Sequence, residues 1–161
     1  MKIEGHRIRE HIRLLAPLFG FIAAIFILRM ILAAADSPFW LVRMVSVSTS
    51  TSLAVLLAAL LMHTRRFGSY VNVVVASLLL NLWAEVLIIL AILFTTFTRI
   101  QNIYTAPEFS VPGEDPQHLR HIYGHLTFSL PTGTLAGAAV GCLFLWLLRT
   151  LAADKPKAQD Q

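Results

Sequence analysis

Four apolar stretches, each near the length of a bilayer crossing and parted by short charged segments, constrain this 161-residue chain more than any other feature. A helix needs about 20 apolar residues to cross roughly 30 Å of hydrocarbon. Four such stretches fall near 14–35, 44–62, 71–98 and 127–148. Their apolar residues come in runs rather than at intervals of three and four, which marks helices that are apolar all round. With 57% hydrophobic and 14% charged residues, the chain lacks the polar surface that a soluble domain of this size requires. The expected fold is an all-α integral membrane protein, a four-transmembrane-helix bundle forming one domain over 1–151. The small polar segment 152–161 is expected to be a disordered cytoplasmic tail.

The distribution of basic residues orients these spans. Nine of the 13 lysines and arginines lie in the flank before span one, in the loop after span two and in the tail. Basic residues stay on the cytoplasmic side, so both termini are expected in the cytoplasm and the protein in an inner or plasma membrane. This distribution also accounts for the net charge of +4 without a nucleic-acid partner. Ala33-Ala34-Ala35 before Asp36 resembles a signal-peptide cleavage site, but the preceding apolar stretch is too long and Arg29 interrupts it. It is therefore read as a span. The single cysteine, Cys142, excludes an internal disulfide.

Two shorter helices are expected outside the spans. Over residues 5–15, Ile8, Ile12 and Leu15 alternate with basic residues, which predicts a short amphipathic N-terminal helix with a bend at Pro17. Asp115-Pro116 is a good helix start. From there Leu119, Ile122, Tyr123 and Leu126 share one face, and His118, His121 and His125 share the opposite one. An outer-surface interfacial helix before span four follows, with its imidazoles turned to water.

Charge inside a span marks the first candidate site. Arg29 and Glu85 each lie fifteen residues into an outward-running span, about 22 Å up at 1.5 Å per residue. Matched depth proposes an ion pair. Ser77, Asn81 and Glu85 are spaced by four and line one stripe of span three, so Arg29, Ser77, Asn81 and Glu85 form a candidate intramembrane polar site. Serines and threonines of spans two and four fall at a similar depth, which suggests an outward-facing polar cavity. An ionisable group at such depth requires a partner or water.

Two further patterns stand out. His118, His121 and His125 have spacings at which imidazoles can share a metal ion; Glu108, Glu114 and Asp115 are the nearby carboxylates. Gly133, Gly137 and Gly141 form a small-residue stripe suited to close helix packing. No cofactor is favoured, since haem needs a histidine within the bundle and none of the six is expected deep in a span.

No nucleophile–base pair, H-E-x-x-H, phosphate loop or paired acids falls within the spans, so enzymatic activity is not expected. A site joining Glu85 to a histidine of 118–125 is set aside because depth separates them. Composition favours an accessory or scaffold subunit that contacts the lipid bilayer and either other membrane subunits or further copies of itself. The alternatives are a small oligomeric transporter or channel using the cavity around Arg29 and Glu85, and a metal- or redox-handling protein using the three histidines.

Overall fold

The structure, a computed structural model, describes residues 2–106 and 118–153. The chain is almost entirely helical, and four helical segments are long and apolar enough to cross a membrane: Ile8–Ala34, Phe39–Thr64, Tyr70–Thr98 and Leu119–Ala152. In chain order the elements are a two-residue hairpin, β1 (Lys2–Ile3) and β2 (His6–Arg7), then α1 (Ile8–Ala34), α2 (Phe39–Met44), α3 (Val47–Thr64), α4 (Tyr70–Thr98), α5 (Leu119–Gly124) and α6 (Leu130–Ala153). A π-helical turn, His125–Ser129, joins α5 to α6 without a break.

Local chemistry sets the helix ends. The Glu10 carboxylate accepts from Arg7 N at 3.2 Å at the start of α1. Ser46 and Ser69 cap α3 and α4 by accepting from Thr49 N and Val71 N. No separate N-terminal amphipathic helix forms. The chain turns through the hairpin and enters α1 at Ile8, which continues through Pro17 to Ala34. Ile8 and Ile12 face outward, while His11, Leu14, Leu15, Leu18 and Ile22 line the buried stripe. Pro17 removes one helix hydrogen bond, and the packing of α1 on α3 and α4 carries the helix through it.

Helices α3 and α4 pack on each other, and both pack on α1 and on α6. Alanines 54, 58 and 59 of α3 and 76, 84 and 91 of α4 are buried and let the backbones approach. Leu15, Ile22, Leu80, Ile92 and Leu145 fill the space between them. Large apolar side chains elsewhere face outward on every helix, Leu90, Phe97, Leu135 and Leu143 among them.

The glycine stripe is the contact surface of α6 with α4 and α3. A Cβ at Gly133 would stand 2.5 Å from Asn81 Oδ1, one at Gly137 2.5 Å from Ser77 Oγ, and one at Gly141 2.8 Å from a methyl of Val73 and 3.0 Å from one of Val55. Gly20 of α1 has open space on that side. Gly141→Leu is therefore expected to destabilise the fold by the roughly 1–3 kcal/mol typical of overpacking and so to lower the thermal midpoint of the purified protein. Gly20→Leu should leave it near wild type. Equal midpoints for the two variants in a melting series would contradict this packing.

Candidate functional site

Glu85 lies on the buried face of α4, where a carboxylate without a donor costs several kcal/mol, roughly, in an apolar interior. Its partner is His125, with Nδ1 2.6 Å from Oε2 and both side chains largely buried. The other ring nitrogen of His125 lies 3.2 Å from Nε2 of His121. The two rings are 4.9 Å apart between centroids and inclined by 28°. A neutral His125 that donates to Glu85 at Nδ1 accepts at Nε2 from His121. Carboxylate, imidazole and imidazole thus form one hydrogen-bonded chain.

The π turn supplies the alignment. Pro131 has no N–H to offer the Thr127 carbonyl, and the turn just before it widens so that Leu130 N donates to His125 O. On an unbroken α-helix His125 and Gly133 would stand about 80° apart; one extra residue in the turn cuts this to roughly 20°. His125 therefore shares the α4-facing side with the glycine stripe.

Three expectations change here. The helix holding the histidines is not a separate surface helix but the first turns of one run from Leu119 to Ala153. Of its apolar face, Leu119, Tyr123 and Leu126 are exposed and Ile122 packs against the core, while His121 is buried. Depth does not separate Glu85 from the histidines. Glu85 lies thirteen residues before the end of α4 and His125 six after the start of α5, so α4 overhangs by about 10 Å. The physical reason for the inversion is the carboxylate, which gives two imidazoles a partner in the interior.

The histidine trio does not assemble. His118 sits at the N-cap of α5 with φ of 54° and faces Thr95, Arg99 and Thr105 across a surface cleft. Among the described residues, no three His, Cys, Asp or Glu side chains are placed to hold a metal ion. Asp115-Pro116 and the carboxylates of Glu108, Glu114 and Asp115 fall outside the described residues, as does the tail from 154 onward.

Arg29 and Glu85 do not meet. The Arg29 guanidinium lies 5.1 Å from the centre of the Tyr104 ring, which stacks on Phe26 at 5.5 Å. Tyr104 belongs to the segment after α4, which folds back across the bundle end. Asn102 holds it there by donating to Ala91 O at 2.6 Å and Thr95 Oγ1 at 2.8 Å, while its own carbonyl oxygen accepts from Tyr104 N. Glu85 finds its donor in the π turn after α5, and Arg29 finds an aromatic face in the returning loop.

A cavity of about 260 Å³ lies beside the chain, between α3, α4 and α6. Asn81, Glu85, His125, Ser129, Thr51 and Ser52 line its polar side, and Val47, Val55, Leu56, Ile88 and Val140 the apolar side. Ser77 is at the helix contact beyond it, donating to Thr134 O at 2.9 Å. The Asn81 amide nitrogen donates to Ser77 O at 2.9 Å, leaving Oδ1 directed at Gly133. Thr51 and Ser52 donate to the Val47 and Ser48 carbonyls of their own helix. Of the proposed intramembrane site, Asn81 and Glu85 reach the cavity, Ser77 lies next to it and Arg29 does not.

A second buried polar pair is absent from the sequence reading. His11 is fully buried, with Nδ1 donating to Arg7 O at 3.1 Å and Nε2 2.7 Å from Asn72 Oδ1. The Phe67 ring packs edge-on against it at 5.1 Å and stacks on His6 at 3.9 Å. Arg149 closes the same end by donating to Gly68 O and lying over Tyr70. A polar residue at each of positions 11 and 72, within three residues of the start of its helix, reads as interfacial until the hairpin covers it. Comparison with protein-family models, curated proteins and solved structures finds no match for this chain.

Burial pushes the Tyr104 phenol up, and the charge of Arg29 offsets part of that rise. A group whose folded pKa exceeds its unfolded one stabilises fully below the ordinary tyrosine value of about 10 and loses that contribution as pH rises through the folded value. Alkaline unfolding of wild type is thus expected to show a pH-dependent component that Tyr104→Phe removes. Superimposable stability profiles above about pH 10 would show that Tyr104 is not so held.

Proposed function

We propose that this chain is a multi-pass membrane protein with both termini cytoplasmic, and that its work is proton-linked transport at the Glu85–His125–His121 chain. The charge distribution supports the orientation: the basic flank before α1, Arg65 and Arg66 after α3, and Arg149 with the tail lysines belong on one side. The four long apolar helices support insertion. The observation that carries the functional reading is the hydrogen-bonded carboxylate–imidazole–imidazole chain in the wall of a cavity.

Such a chain suits proton movement for a specific reason. An imidazole can take a proton at one nitrogen and release it from the other, and its charge changes near neutral pH. His125 touches Glu85 with one nitrogen and His121 with the other. A proton arriving at Glu85 therefore has a path through two rings toward the bundle end where α5 begins. Intramembrane carboxylates and histidines in chains of this type mark proton relays. The accessory-subunit reading draws on short loops and a missing catalytic motif; the relay is what turns the preference to transport.

The test is a titration by nitrogen NMR of labelled histidines in the protein reconstituted into bilayers. His121 and His125 are expected to titrate as one coupled system, and Glu85→Gln should uncouple them while leaving His63 unchanged. Independent titration of the two rings, indifferent to Glu85→Gln, would remove the basis for proton-linked function.

A further inference from the structure

We infer that the cavity beside Glu85 binds a small organic cation, an ammonium on a short alkyl or aryl body, in exchange for one proton of the Glu85–His125–His121 chain. This rests on the proton-linked reading above and names what the proton is exchanged for.

The lining sets the charge of the ligand. Glu85 is the only acid among the lining residues, His125 the only histidine, and no lysine or arginine joins them. Anions would face the Glu85 carboxylate with no lysine or arginine to offset it. Three of the remaining polar side chains, Asn81, Thr51 and Ser52, offer acceptors, and Ser48 and Ser129 add hydroxyls that can donate or accept. Asn81 has committed its amide nitrogen to Ser77 and keeps Oδ1 free of that bond. Thr51 and Ser52 have committed their hydroxyl protons to carbonyls of α3, so their oxygens offer lone pairs. A carboxylate, an amide oxygen and two hydroxyl oxygens call for a ligand that brings N–H donors and positive charge.

Size and the opposite wall set its body. A cavity of about 260 Å³ equals the liquid volume of roughly eight to nine waters at about 30 Å³ each, too roomy for a bare ion. It sits just below the range of about 300–1,000 Å³ usual for small-molecule sites. Val47, Val55, Leu56, Ile88 and Val140 supply an apolar wall for a hydrocarbon group.

Charge balance couples the ligand to a proton. An ammonium seated on the Glu85 carboxylate cannot share it with an imidazolium at 2.6 Å, because like charges in an apolar site repel strongly. In the state of the chain that carries one extra proton, His125 is the imidazolium; that proton must leave as the cation arrives, and His125 returns to the neutral ring that donates to Glu85. One cation enters, one proton departs, and the net charge of the site is unchanged. His121, at 3.2 Å from the far nitrogen of His125, takes that proton and passes it on to solvent at the bundle end where α5 begins, so that it leaves the chain. No other titratable side chain faces the pair among the lining residues: α3 brings only hydroxyls, α6 only small and apolar groups, and Arg29 of α1 lies over Tyr104.

Calorimetry of the full-length protein in lipid nanodiscs tests this, with butylammonium and benzylammonium as ligands, benzyl alcohol and benzoate as controls, and two buffers of different ionisation enthalpy. Both cations are expected to bind with release of about one proton each, so affinity rises about tenfold per pH unit while the site is protonated. Binding should fall at least about tenfold in Glu85→Gln. Thr51→Val, which removes one acceptor without touching the relay, should weaken the cations and leave the histidine titration as in wild type. Benzyl alcohol binding as tightly as benzylammonium, or cation binding without proton release, overturns the inference. Failure of both cations to bind while His121 and His125 still titrate together overturns it and leaves the proton-linked reading standing. Loss of the coupled titration removes both.

Discussion

A carboxylate among apolar helices has to be met by a donor, and the way this chain meets Glu85 organises much of what surrounds it. The donor is His125, which comes from the last long helical run rather than from the arginine at similar depth. Bringing it there requires α5 to begin well below the end of α4, and it requires the histidine to share a face with the glycines that follow. The π turn before Pro131 meets the second requirement, and it lies where an interrupted helix ladder is already forced by proline. One hydrogen bond, one proline and three glycines thus act together to seat α6 against α4.

The same contact explains the division of polar groups between the two ends of the bundle. At the Glu85 end, Asn102, Thr95 and Thr105 fasten the returning loop so that Tyr104 closes over Arg29. At the other end, the hairpin before α1 covers the His11–Asn72 pair, with Phe67 and Arg149 completing the closure. Between them lie Ser77 and Asn81, bonded to backbone carbonyls. Except for Asn81, which bonds to Ser77 of its own helix, these groups have a partner supplied by another segment, and a polar group buried without one is costly. The cavity is the exception, since there the acceptors of Asn81, Thr51 and Ser52 face open space.

Much of the fold was legible from residue pattern. The four helical stretches, the single polar stripe through Ser77, Asn81 and Glu85, and the histidine and glycine spacings are all local, and helical periodicity exposes them. The errors came where two local patterns compete for one partner. Depth counting joined Arg29 to Glu85 because both charges lie fifteen residues into their spans. That arithmetic takes no account of rotation about each helix axis, and it could not see a tyrosine arriving from the loop. Likewise the apolar face of residues 119–126 was assigned inward and the imidazoles outward, the usual sense for a surface helix; the structure instead exposes Leu119, Tyr123 and Leu126 and buries His121.

The sequence by itself determined that the chain forms four long apolar helices with a carboxylate inside one of them, because hydrophobic length and the placement of charge are properties of contiguous residues. Tertiary structure decided which donor that carboxylate receives, which way the histidine face turns and where the cavity lies. Those outcomes depend on helix rotation and vertical offset, and these are fixed only when small residues, a π turn and hydrogen-bond partners from separate segments are satisfied at once.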